Sequence, residues 1–131
     1  METTEKEIKK PYTLIGDELL VGVLKELPKG KTLRFKKDTM LIFYEASKNP
    51  EYAELFKNYF FDEDGAIPYS KEISEGCFAL EAACMLNITH LDFWISTGIE
   101  IRFNYHIKPK LNEEQIKLLQ RLAGEMGQQV F

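Results

Sequence analysis

Thr89-His90-Leu91-Asp92-Phe93-Trp94-Ile95-Ser96-Thr97-Gly98-Ile99-Glu100-Ile101-Arg102-Phe103-Asn104-Tyr105-His106 is the stretch on which the fold turns. Apolar and polar residues alternate on both sides of Gly98, the pattern of half-buried strands. A two-residue turn at Thr97-Gly98 would set Leu91, Phe93 and Ile95 beside Glu100 and Arg102 and mix the faces. A three-residue turn, Ser96-Thr97-Gly98 with Gly98 left-handed, pairs Ile95 with Ile99, Phe93 with Ile101 and Leu91 with Phe103. Every apolar side chain then lies on one face, and a slip of one residue would undo that, so the register is strongly specified. The opposite face holds His90, Asp92, Trp94, Glu100, Arg102, Asn104 and His106, with Asp92 across from Arg102.

Upstream, Ser70 caps a helix reaching about Leu86, with Glu72 and Glu75 near its positive end. Ile73, Cys77, Leu80 and Cys84 form one stripe and Phe78, Ala82 and Met85 another, which predicts a helix central to the core. Gly76 inside it costs about 1 kcal/mol of propensity, so a neighbour is expected close to its backbone. Downstream, Asn112 and Gln115 make a capping box for a helix that Gly127 stops, with Ile116, Leu119, Leu122, Ala123 and Met126 on one face.

Nearer the start, Leu19, Leu20, Val23, Leu24 and Leu27 fall at helical spacing, closed by Pro28 and Gly30. Thr32–Lys36 alternates as a short strand, Leu33 and Phe35 inward, Thr32, Arg34 and Lys36 outward. Asp38 or Thr39 caps a helix over Met40–Lys48, although the apolar run Met40–Tyr44 has no decisive period and also fits a strand. Asn49-Pro50 starts a further helix to about Phe60, ended by Asp62-Glu63-Asp64-Gly65. Residues 1–11 read as a polar N-terminal tail, and 12–131 as one domain.

The composition is that of a globular domain: 131 residues, 44% apolar and 29% charged, with nine Phe and six Tyr. Its aromatic content and small net charge exclude disorder of the whole chain. No apolar run approaches the roughly 18 residues of a membrane span, and the N-terminal residues lack the pattern of a signal peptide. A cytoplasmic protein with two reduced core cysteines, Cys77 and Cys84, is expected.

Recognisable reaction chemistry is missing from the sequence. Gly30-Lys31-Thr32 lacks the glycine of a phosphate loop five positions earlier, where Lys25 stands, so no nucleotide or other cofactor is expected. Nucleophilic catalysis would have to use His90 or His106, and no Gly-x-Ser-x-Gly elbow occurs. In the hairpin register above, His90, Asp92 and His106 lie within reach of one divalent ion, the basis of a metal-dependent enzyme reading. The spacing matches no metal signature, and a solvated hairpin face is the simpler account. The acidic run Glu45–Asp64 lacks the ligand spacing of a calcium loop.

Against a net charge of −4, the segment Lys25–Lys37 carries Lys25, Lys29, Lys31, Arg34, Lys36 and Lys37 with one acid, Glu26. If its strand joins the hairpin in one sheet, Arg34, Lys36, Trp94, Arg102, Asn104 and His106 share a surface. Such a surface suits phosphates or an acidic partner, and an exposed tryptophan among charges is typical of a binding hot spot.

The predicted order (helix, strand, helices, hairpin, trailing helix) is similar to that of winged helix-turn-helix domains, with an extra helix around Pro50–Phe60. The expected fold class is therefore α+β: a mainly helical single domain with a small antiparallel sheet and a winged-helix-like element order. The resemblance implies a DNA-reading helix before the hairpin, but Glu72, Glu75 and Glu81 there would face phosphates. Expected first is a non-catalytic interaction or regulatory module that binds a protein through the hairpin face, with His90, Trp94, Arg102, Asn104, His106, Arg34 and Lys36 as contacts. A DNA-binding regulator using the basic strand and wing is the alternative, with self-association through the 112–126 helix as a further possibility.

Overall fold

The computed structural model describes residues 10–131, so the tail expected over residues 1–11 falls almost wholly outside it. The described chain is an α+β fold, mainly helical with a small three-stranded antiparallel sheet. It runs α1 (Glu18–Leu24), β1 (Thr32–Arg34), α2 (Thr39–Ser47), α3 (Lys71–Ala82), β2 (Leu86–Thr89), β3 (Asp92–Ile95), α4 (Gly98–Arg102) and α5 (Glu113–Gly127). A single hydrophobic cluster draws on all of these elements.

All seven residues of α1 are buried, which makes α1, rather than α3, the axis of the core. Helices α3, α4 and α5 pack around it. Of the two stripes expected of α3, only Ile73 and Leu80 are buried, with Gly76 between them, while Phe78 is 74% exposed. The close approach at Gly76 is present: a Cβ there would stand 2.8 Å from Leu20 Cδ1 and 3.2 Å from Asp17 Cα.

The helix signals otherwise act as the sequence predicts. Asp38 accepts from the Met40 N–H, which resolves Met40–Tyr44 as helix. Ser70 accepts from the Ile73 N–H, and Asn112 with Gln115 forms the full capping box. The α5 stripe of Leu119, Leu122, Ala123 and Met126 is buried in the chain's own core, so it is not a free self-association surface. The helix expected from Pro50 to Phe60 shortens to a 3-10 turn, Pro50–Tyr52, although Asn49 caps it as expected. Beyond it Leu55, Phe56 and Tyr59 are buried, and the Tyr59 hydroxyl donates to the Gly16 carbonyl at the start of α1.

The hairpin lies earlier than its expected place. Strand β2 pairs antiparallel with β3 through Leu86↔Ile95, Asn87↔Trp94, Ile88↔Phe93 and Thr89↔Asp92, joined by His90-Leu91 with His90 left-handed at φ 57°. Residues after Ile95 turn into helix, continuing from α4 through a π turn (Phe103–Ile107) and a 3-10 turn (Lys108–Lys110). Gly98 is thus the first residue of a helix and not a left-handed turn. The physical reason is a second period in the same letters: Ile99, Phe103 and Ile107 are spaced four apart and all buried. Ile101 and Tyr105, at the intervening positions, are exposed. Strand β1 joins the other side of β3 (Thr32↔Trp94, Leu33↔Phe93, Arg34↔Asp92), giving the sheet order β1-β3-β2.

Candidate functional site

The sheet buries one face and exposes the other, because side chains alternate along each strand. Leu33, Leu86, Phe93 and Ile95 point into the core. Thr32, Arg34, Asn87, Thr89, Asp92 and Trp94 make the outer face. Trp94 stands on the central strand between Thr32 and Asn87 and is 40% exposed, so α5 does not cover it. A depression of about 400 Å³ runs beside it, bounded by Thr32, Asn87, Thr89 and Asp92.

Arg34 and Asp92 face each other across β1 and β3 in a two-bond pair, Nε to Oδ1 at 2.5 Å and Nη2 to Oδ2 at 2.9 Å. That hydrogen bonding holds the Asp92 carboxyl below its ordinary range, with His90 adding a smaller pull, and raises the Arg34 guanidinium. Both groups are solvated, so the pair orders the face more than it stabilises the fold.

Of the expected contact residues, Trp94 and Arg34 share this face, and His90, in the β2–β3 turn, is near enough to act on the charge of Asp92. Lys36 lies just beyond β1, its ammonium 6.0 Å from the centre of the Phe131 ring. Arg102, Asn104 and His106 do not join them, because their segment is helical. Arg102 instead forms a half-buried two-bond pair with Asp17, at 2.5 and 3.0 Å, which raises its pKa. Asp92 therefore faces Arg34 and Thr89 rather than Arg102, and His106 is not the strand-borne neighbour of His90. No group of three His, Cys, Asp or Glu among the described residues could hold a metal ion.

Asn87 and Thr89 are the contacts the sequence reading missed. Their signal was present in Leu86-Asn87-Ile88-Thr89, a four-residue alternation split by the expected helix end at Leu86 and the expected hairpin start at Thr89.

The basic segment is less available than its charge suggests. Lys25 pairs with Glu26, Lys37 with Glu45 and Arg34 with Asp92. The Lys29 ammonium bonds to the Lys25 and Leu27 carbonyls. Lys31 and Lys36 make no ion pair among the described residues.

In the helix before the hairpin, the exposed residues of α3 are Lys71, Glu75, Phe78, Ala79, Glu81 and Ala82. Glu72 turns back to accept from the Phe60 N–H, and Glu81 accepts from the Ile88 N–H. No helix of the described residues is long and apolar enough to cross a membrane. Set against known protein families, curated proteins and solved structures, the chain matches none of them.

Proposed function

We propose that this chain is a small interaction module without catalytic activity that binds a protein partner through the outer face of its sheet, around Trp94. One observation carries the reading: a tryptophan ring held by pairing on both sides of its strand, yet 40% exposed. A rigid aromatic loses little conformational freedom on binding and covers a large area, which is why tryptophan is over-represented at interface centres. The surrounding Thr32, Asn87, Thr89 and the Arg34–Asp92 pair supply a polar rim.

DNA binding is the weaker reading. It asks for uncommitted cations and a base-reading helix face, whereas four of the six bases between Lys25 and Lys37 already bond to carboxylates or carbonyls. The solvent face of α3 offers Phe78 and two alanines, with Lys71 beside Glu75, and none of the bidentate readers of base edges.

The test captures partners on immobilised protein, comparing wild type with Trp94→Ala and Phe78→Ala after circular dichroism confirms equal folding. A partner held by wild type and Phe78→Ala, and about 30-fold weaker with Trp94→Ala, is expected for a hot spot of about 2 kcal/mol. Equal capture by Trp94→Ala refutes the reading. Micromolar binding of a random-sequence DNA duplex that collapses steeply with salt would replace it with the DNA reading.

A further inference from the structure

The segment after α2 is rich in aromatic residues, and its path gathers several of them around one surface pocket. Tyr44 and Lys48 stand four residues apart at the end of α2, hence on one face of it. Beyond the Pro50–Tyr52 turn the chain brings Phe56, Phe60 and Phe61 back to the same place. A bridge between Asp62 and Tyr69, with backbone bonds of 2.7 and 2.9 Å, then pins the loop that carries Glu63. The pocket these residues line has a volume of about 300 Å³.

The Tyr44 and Phe61 rings meet at 68° with centres 5.5 Å apart, so they form a corner and not a stack. Buried Phe56 backs Phe61 at 6.4 Å, and Phe60 is a 67% exposed ring that the hydrophobic core does not use. A cation already stands in this corner. The Lys48 ammonium lies 4.9 Å from the centre of the Tyr44 ring and 3.2 Å from Glu63 Oε2, to which the Tyr44 hydroxyl also donates at 2.6 Å. The Tyr44 bond and then Lys48 hold the Glu63 carboxyl below its ordinary range, which keeps it an anion. Both Lys48 and Glu63 are more than half exposed, so their pair is weak and its cation replaceable. Between Glu45 and Asp64 six acids stand against two lysines. Asp62 and Asp64, which flank Glu63, make no ion pair among the described residues.

Ring faces, a carboxylate and an open approach are the parts of a site for a quaternary ammonium, whose charge is spread over a methyl skin. A plain ammonium is strongly hydrated and is held best by Glu63 and water, whereas a trimethylated one sheds water readily and is attracted to the rings. We propose that this pocket binds a trimethylated lysine side chain carried by a basic segment of a partner protein. Its trimethylammonium takes the place of the Lys48 ammonium against Tyr44 and Phe61, and cations beside it in the partner meet Asp62 and Asp64. The pocket shares no residue with the depression at Trp94, so this is a second contact beyond the sheet face.

The test titrates the full chain with a blocked peptide in which one trimethylated lysine stands between two Gly-Arg pairs, followed by proton NMR. Controls are the same peptide with plain lysine, a copy whose quaternary nitrogen is replaced by carbon, and free choline. The trimethyl protons should move upfield, as ring currents require. Binding should be about tenfold tighter than that of the lysine peptide, the carbon isostere or choline. Tyr44→Leu should weaken it about tenfold and Phe60→Ala, at an exposed position that the fold does not need, about threefold, with circular dichroism confirming equal folding. Lys48→Met removes the resident cation, keeps an apolar stem and should tighten binding about threefold.

No saturable shift up to about 5 mM peptide, well above the weakest affinity of use here, overturns the proposal. So does equal binding of the lysine peptide, which would reduce the site to an ion pair with Glu63, or of the carbon isostere, which would reduce it to an apolar hollow. Choline held as tightly as the peptide overturns the protein source and assigns the pocket to a small quaternary ammonium. Loss of binding in Trp94→Ala, with Tyr44→Leu and Phe60→Ala unaffected, would move the peptide to the sheet face and overturn the pocket.

Discussion

Three glycines placed in helices give the packing account its sharpest test, because alanine at each should move stability differently. Helix propensity alone favours alanine by about 0.8–1 kcal/mol at an interior position. At Gly124 on α5 nothing lies within 4 Å of an added Cβ, so Gly124→Ala should gain most of that. At Gly22 the new carbon meets Leu119 Cδ1 at 2.9 Å and Cδ2 at 3.0 Å. These are the ends of a side chain that can shift but is itself fully buried, so gain and overpacking nearly cancel.

At Gly76 the new carbon meets Leu20 Cδ1 at 2.8 Å and the Asp17 Cα at 3.2 Å. A backbone atom cannot move by changing rotamer, and Asp17 is tied down by Arg102. Overpacking there should cost about 2–3 kcal/mol, the upper part of the usual range, leaving Gly76→Ala destabilised by about 1–2 kcal/mol. Urea unfolding followed by Trp94 fluorescence and circular dichroism reads the difference. With a slope of about 2 kcal/mol per molar urea, the Gly76→Ala and Gly124→Ala midpoints should stand about 1 M apart. Equal midpoints, or a Gly76→Ala midpoint above wild type, would refute the claim that α1 and α3 meet backbone to backbone.

Other expectations follow from the polar and titratable groups. Asp17→Ala leaves the half-buried Arg102 unpaired and should lower stability by about 1–3 kcal/mol, measured by the same urea curves, whereas Arg34→Ala on the solvated sheet face should leave them nearly unchanged. Burial pushes the Cys77 thiol up to about 12 while Cys84 is exposed, so a thiol reagent near pH 8 should find one reactive cysteine in the folded protein and two in urea. Because Cys77 keeps its proton longer when folded, the unfolded state binds fewer protons above about pH 8.5; stability should fall from there toward pH 12, and Cys77→Ala should flatten that slope. The Tyr52 hydroxyl is buried beside the Glu125 carboxylate without a well-formed hydrogen bond to it, so Tyr52→Phe should leave the thermal midpoint nearly unchanged.

Much of the fold is legible from short-range chemistry. Asp38, Asn49, Ser70 and Asn112 each cap where their side chains allow, since a cap depends on a few consecutive atoms. The alternation of Leu33 and Phe35 with Thr32, Arg34 and Lys36 likewise gives both the strand and its outer face. The hairpin fails because Ile99, Ile101 and Phe103 satisfy period two, while Ile99, Phe103 and Ile107 satisfy period four. Only the surface left open on α1 decides between them, and no local rule contains that surface. The same error carried Arg102, Asn104 and His106 away from the site, whereas Trp94 and Arg34 stayed because their own strands were read correctly. The central place of α1 was hidden in a similar way. Its seven residues include Glu18, which looks solvated but is buried where Tyr12, Lys110 and the Ile15 N–H all donate to it.

The bond from Glu81 to the Ile88 N–H has a bearing on stoichiometry. A sheet open on both sides can stack copies head to tail without limit, since each addition exposes a fresh edge. Here the β2 side is stoppered by a carboxylate from the preceding helix, and a strand arriving there would have to displace a charge-assisted bond before making its own. Head-to-tail joining of copies, which needs the β2 edge of one of them, is opposed there. One glutamate thus guards one of the sheet's two edges.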